Sequence, residues 1–144
     1  QKDWPAGRMV TPTLAGTRPG GAISSAWAVM HYLGIEGYRQ KKQSVTRARA
    51  RIEEGVAELG FEVLGAPKLG IMAFSHPELD IFALYKRLFE RGWVTSLCTQ
   101  PKALHLMLSP FHETVVAQYL TDLAWAVAQV RAGVTDAVTE VRYS

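Results

Sequence analysis

The sequence predicts an α+β fold in which one long helix leads into a small antiparallel sheet covered by helices on one side. Three observations carry that prediction. Ile23, Trp27, Met30, Gly34 and Tyr38 recur at intervals of three and four, and Val45, Ala48, Ile52, Val56 and Leu59 continue the row, the spacing of a single helix. Beyond Gly60, short apolar runs and helical spacing alternate in the order strand-strand-helix-strand-strand-helix, the order of an α+β layer. Gly60, Gly92 and Gly133 stand where the periodic segments stop, the usual place for a glycine that closes a helix.

Each element follows from local chemistry. Residues 1–19 contain Pro5, Gly7, Pro12, Gly16 and Pro19, which rule out a continuous helix and leave residues 8–14 as a short strand or extended arm. The helix that starts at Gly20 is about forty residues long, against ~8–20 for most globular helices, so it reads as a connector between two lobes. Gly34 and Gly37 mark a kink or a short break in it. Residues 61–64 read as a short strand, Gly65-Ala66-Pro67 as a turn and residues 69–74 as a second, more buried strand. Asp80 is placed to cap a helix carrying Ile81, Leu84, Tyr85 and Leu88. Residues 93–97 read as a strand, 99–102 as a turn and 103–108 as another strand. A last helix is expected over residues 113–132, with Val116, Leu120, Leu123, Val127 and Val130 on one face. The expected organisation is a loop-bearing segment at 1–20, the connector at 21–59, a small α+β domain at 60–133 and a tail at 134–144.

Composition bounds the function. At 144 residues the length fits one domain or a piece of a larger protein, and 48% hydrophobic with 20% charged residues excludes a disordered chain. The formal charge of +3 comes mostly from residues 39–51. Those cations alternate with Val45, Ala48 and Ile52 and are followed by Glu53, Glu54 and Glu58, which makes a solvated helix face and argues against a nucleic-acid partner. Cys98 is the single cysteine, so an internal disulfide and a multi-cysteine zinc site are excluded, as suits a reducing compartment. No apolar run reaches the ~18–20 residues of a membrane span, and no segment reads as a signal peptide, so a cytoplasmic location is expected. The chain opens on Gln1, and QKDWPAGRMVTPT reads like the middle of a protein, so an upstream part is expected.

One stretch carries recognisable chemistry. In TPTLAGTRPGG, Gly16 lets another group approach the backbone, Thr17 offers a hydroxyl and Arg18 a forked cation, all directly ahead of a helix start. Unpaired N–H groups and the macrodipole favour negative charge there, so a phosphate suits the turn. A plain structural loop with Arg18 in a surface salt bridge explains the pattern equally well. Neither GxxxxGK[ST] nor GxGxxG is present. His31, His76, His105 and His112 lack metal-ligand spacing; His105, between Leu104 and Leu106, reads as satisfied or outward-facing, and His31 is placed to reach a neighbouring subunit. Cys98, Ser24 and Ser25 lack an elbow motif or a base partner. Lys2, Lys41, Lys42, Lys68, Lys86 and Lys102 sit in polar or terminal surroundings, none desolvated enough for a Schiff base. The residues alone describe an anion-binding turn and no reaction centre.

Residues 3–38 resemble the sphingosine-1-phosphate lyase branch of the pyridoxal-phosphate-dependent group II decarboxylase family, fold type I. That family typically shows DWPGG, then TPT-AGSRPGG, then an apolar helix ending G–GY. The matching elements here are Asp3-Trp4-Pro5-Ala6-Gly7, Thr11 to Gly21, and Gly34 to Tyr38, with Ala6 and Thr17 as departures. Residues 60–133 are compatible with the family's small C-terminal domain. The resemblance implies the C-terminal portion of a fold type I enzyme, with pyridoxal 5'-phosphate as cofactor and an obligatory homodimer. It implies that the loop holds the cofactor phosphate of the partner subunit through Gly16, Thr17 in the serine position, and Arg18. It also implies that the Schiff-base lysine lies upstream, so no catalytic residue is carried over onto this chain. The implied reaction is retro-aldol cleavage of a phosphorylated long-chain base to a fatty aldehyde and phosphoethanolamine. An amino-acid decarboxylase of the same group is the alternative, and a non-catalytic dimerisation or binding module is another.

Overall fold

A computed structural model describes residues 16–133, so the arm expected at residues 8–14 and the tail expected at 134–144 lie outside the described residues. The described residues divide into two units, one ending at Tyr38 and the other starting at Arg39.

Helix α1, Gly20–Glu58, has 39 residues, the length that the apolar spacing predicts. Of the two expected break points, Gly34 is the one that breaks: its φ of 58° and ψ of −177° lie where a side chain is strained, while Gly37 stays helical. In the first unit the apolar row of α1 is exposed, with Ile23 at 64% and Trp27 at 60%.

The second unit has its own core. The later half of α1 buries Ala48, Ile52 and Val56, four residues apart and therefore on one stripe. Its end is closed by two hydrogen bonds, from Phe61 N–H to the Val56 carbonyl and from Gly60 N–H to the Ala57 carbonyl. This pairing requires a left-handed residue, and Gly60 supplies it at φ 88°. The same glycine-closed pattern ends helix α2, Ile81–Glu90, at Gly92. Asp80 caps α2 as expected, its Oδ1 accepting from the N–H groups of Phe82 (2.9 Å) and Ala83 (3.4 Å).

Four strands, β1 (Glu62–Val63), β2 (Ile71–Ser75), β3 (Ser96–Thr99) and β4 (Lys102–Met107), form an antiparallel sheet in the order β1-β2-β4-β3. Register places Phe74 opposite Leu104, and Leu104 opposite Leu97, on the buried face. Ala73, His105 and Ser96 line up on the other, half-buried face. The alternation has the period of two that one covered face demands. Helix α3, Val116–Arg131, adds Val116, Tyr119, Leu123, Ala126, Val127 and Val130 to the core.

Three of the boundaries that move have a local cause. The strand expected at 93–97 begins at Ser96, because the Trp93 N–H bonds the Leu88 carbonyl in the helix-closing turn and its indole N–H reaches Asp122 at 2.9 Å. The helix expected from residue 113 begins at Val116. Pro110–Thr114 instead forms a 3-10 helix, where the Ser109 N–H bonds His112 Nδ1 at 2.8 Å. The strand expected from residue 69 begins at Ile71, after the Gly70 carbonyl accepts the Leu108 N–H at 2.6 Å.

Candidate functional site

Gly16, Thr17 and Arg18 lie in the loop that enters α1 at Gly20, and all three are exposed. The first turn of α1 holds no acidic side chain, so nothing negative of its own offsets the positive end of the helix dipole. A Cβ added to Gly16, Gly20 or Gly21 would meet no atom of the described residues within 4 Å, so packing among those residues does not demand glycine there. Two glycine amides at a helix start, a hydroxyl at Thr17 and a guanidinium at Arg18 are groups that can donate to an anion. These residues fit a phosphate group.

The other singled-out residues sort into structural roles. His31 Nδ1 donates to the Trp27 carbonyl one turn back at 2.9 Å, and its ring lies 4.1 Å from that of Trp27. His76 is buried, accepting from the N–H groups of Glu78 and Leu79 through Nδ1 and meeting Phe61 edge-on. Cys98 is a half-buried free thiol in β3. Among the described residues no group of three His, Cys, Asp or Glu side chains is placed to hold a metal ion, and no helix is long and apolar enough to cross a membrane. The basic face at residues 39–51 is laced to carboxylates: Arg49 pairs with Glu53 one turn on, and Arg47 Nε lies 2.5 Å from Glu113 Oε1.

Two polar clusters were not legible beforehand. Glu113 accepts from Ser44 and Arg47, residues 69 and 66 positions away, so no local pattern announces it. Those hydrogen bonds, from Arg47 first and then Ser44, aided by the charges of Arg47 and Arg51, hold its carboxyl down at about 2. A depressed carboxyl stabilises the fold above its ordinary value near 4.5, and that contribution disappears as pH falls through about 2. Glu113→Gln is therefore expected to flatten the stability profile between those limits. Urea midpoints taken from about pH 5 down to about pH 2 should converge for the two proteins as acid is added. Parallel profiles would show that the cluster does not couple to folding. The second cluster, around Asp122, joins α2 and α3 and is structural.

Comparisons with known proteins agree with this fold. No family model matches the chain. The chain is 39% identical over 131 residues, 90% of its length, to "Sphingosine-1-phosphate lyase" of Arabidopsis thaliana, and spans 24% of that protein. It is 37% identical over 98 residues, 68% of its length, to "Probable L-tyrosine/L-aspartate decarboxylase" of Methanothermobacter thermautotrophicus, spanning 27% of that protein. The Burkholderia pseudomallei sphingosine-1-phosphate lyase structure superimposes with a TM-score of 0.80 at 29% identity, covering 93% of this chain and 31% of that one. A glutamate decarboxylase of Lactobacillus brevis, at 16% identity and a TM-score of 0.67, shares the fold. The chain thus spans about a quarter of the length of the curated relatives it matches. By sequence and by the three α-helices and four-stranded antiparallel sheet of its described residues, it is a homologue of the sphingosine-1-phosphate lyases and of the group II decarboxylases beside them, with the C-terminal α+β fold of fold type I enzymes.

Proposed function

We propose that this chain is the C-terminal part of a pyridoxal-phosphate-dependent carbon–carbon lyase that cleaves a phosphorylated long-chain base to a fatty aldehyde and phosphoethanolamine. The observation that carries the reading is the 39% identity to a sphingosine-1-phosphate lyase across 90% of the chain. In this reading residues 1–20 close the cofactor-binding lobe, 21–59 connect, and 60–133 form the small domain. The lysine that anchors the cofactor comes from outside these residues. When bound, the cofactor supplies an electron sink for the breaking Cα–Cβ bond.

This chain's part is to hold the phosphate. The Thr17 hydroxyl donates to a phosphate oxygen, Arg18 adds charge, and the N–H groups at the start of α1 complete the cradle. Gly16 lets the loop come close. The phosphate belongs to the site of a second subunit, so the protein works as a homodimer. Two exposed apolar surfaces support partners of this kind: Ile23, Trp27, Met30 and Ile35 in the first unit, and the register pair Ile71 and Met107 in the second. The free thiol of Cys98 suits the cytoplasm.

A charge-assisted hydrogen bond contributes about 1.5–3 kcal/mol, so Thr17→Val in the complete protein should weaken cofactor retention roughly ten- to a hundredfold. Cofactor absorbance remaining after dialysis measures it. Full retention would remove Thr17 from the site. The reaction itself is tested by supplying the complete protein with a phosphorylated long-chain base and with aromatic and acidic amino acids. Aldehyde release supports the lyase. Release of carbon dioxide from an amino acid would favour the decarboxylase reading, which rests on the 37% identity to the archaeal relative. Release of neither would leave the non-catalytic module.

A further inference from the structure

Gly34 and Gly37 both lie in the part of α1 that belongs to the first unit, and each is a glycine for a different physical reason. Gly34 has φ 58° and ψ −177°, a combination essentially confined to glycine, and it is the one residue of α1 with non-helical angles. It needs backbone freedom and not space: a Cβ there would meet nothing within 4 Å beyond its chain neighbours and the helix's own backbone. Gly37 is the reverse. Its angles are helical, but a Cβ there would lie 3.0 Å from Leu33 Cβ and 3.4 Å from Leu33 Cδ2. Side chains four residues apart on an unbroken helix keep their Cβ atoms about 5–6 Å apart, so the break at Gly34 is what closes this gap. The first glycine makes the break and the second makes room for it.

Packing among the described residues does not impose the break, since Tyr32 beside it is 89% exposed and Ile35 71%. Glycine also accepts ordinary helical angles, so the same segment has an unbroken alternative. Two discrete forms of one element, set by a few small residues, are what a joint requires. We propose that Gly34 and Gly37 form a joint in α1 that holds the helix broken, and that turnover of the complete protein depends on the broken form. The dependence of turnover rests on the reading of α1 as the connector of a lyase; the joint itself does not.

Alanine favours a helix over glycine by roughly fivefold per site. In the broken form it would also meet backbone strain at position 34 and Leu33 at position 37. Gly34→Ala combined with Gly37→Ala should therefore convert α1 to an unbroken helix. Spin labels report this in the complete protein, carried by Ser25→Cys and Gln40→Cys at exposed sites with every other cysteine replaced, and diluted with unlabelled protein. Pulsed EPR should find the separation in the double variant moved from its native value to that of fifteen helical residues, about 22 Å between backbones. Gly37→Ala alone should move part of the population, and decides the matter if the double variant does not fold. The kcat and KM for aldehyde release should change together, with kcat/KM falling roughly tenfold or more. A label separation that is the same with glycine and with alanine would overturn the joint. A moved separation with unaltered kcat and KM would overturn its place in the reaction. Absence of aldehyde release from the native protein would count against the lyase reading, and the label separation would still decide the joint.

Discussion

Phe74→Ala is expected to lower the stability of the folded chain by about 3–5 kcal/mol, the largest effect of any single truncation considered for this molecule. Phe74 is fully buried in β2, opposite Leu104 on one side and Val63 on the other, and meets the ring of Phe61 edge-on at 5.3 Å. Phe61 is also the residue whose N–H closes α1 onto the Val56 carbonyl. Removing the Phe74 ring therefore empties the space between the sheet and the end of the long helix. Strand backbones hydrogen-bonded on both sides cannot collapse into such a void, so the cavity term adds to the lost transfer energy. Phe74→Leu keeps most of the volume and should cost well under half as much. Urea unfolding with an unchanged slope checks both. A loss below about 1 kcal/mol for the alanine variant would show that the core is not centred here.

Asp122→Ala comes next, at about 3 kcal/mol. Asp122 is 5% exposed on α3, and its Oδ2 accepts from Trp93 Nε1 at 2.9 Å and Gln118 Nε2 at 3.0 Å. Arg91 lies 3.5 Å from Oδ1, and its guanidinium sits 3.9 Å above the Trp125 ring. The carboxyl is held below its ordinary range by the hydrogen bonds from Trp93 and Gln118, with Arg91 adding to them. Alanine would leave the half-buried Trp93 indole N–H and the Arg91 charge without their acceptor, and unmade buried bonds cost more than made ones contribute. Asp122→Asn keeps an acceptor and should lose less. Because the carboxyl is depressed, the gap between the native protein and the asparagine variant is present above the ordinary carboxylate range and narrows on acidification. Equal stability of the alanine and native proteins at neutral pH would refute this role.

How much of this was legible beforehand depends on distance along the chain. The loop at Gly16, Thr17 and Arg18 reads as an anion site because residue type and the following helix start are neighbours in sequence. A cavity of about 140 Å³ beside Tyr119 was not legible, since its wall comes from Ile52 of α1, the approach to β3, β4, the 3-10 helix and α3. His105 was legible from its neighbours in the strand. It was expected satisfied or outward-facing, and it lies on the half-buried face of the sheet, opposite the face that buries Leu104 and Leu106.

By itself the amino-acid sequence determined the length of α1, its break near Gly34, the Asp80 cap and the glycine-closed ends at Gly60 and Gly92, because each depends on interactions within about one helical turn. The tertiary structure alone decided that β4 separates β2 from β3, that Trp93 turns away from the sheet toward Asp122, and that Glu113 leaves the last helix for Arg47. Those outcomes rest on partners tens of residues away, whose hydrogen bonds form only once the core has brought them together.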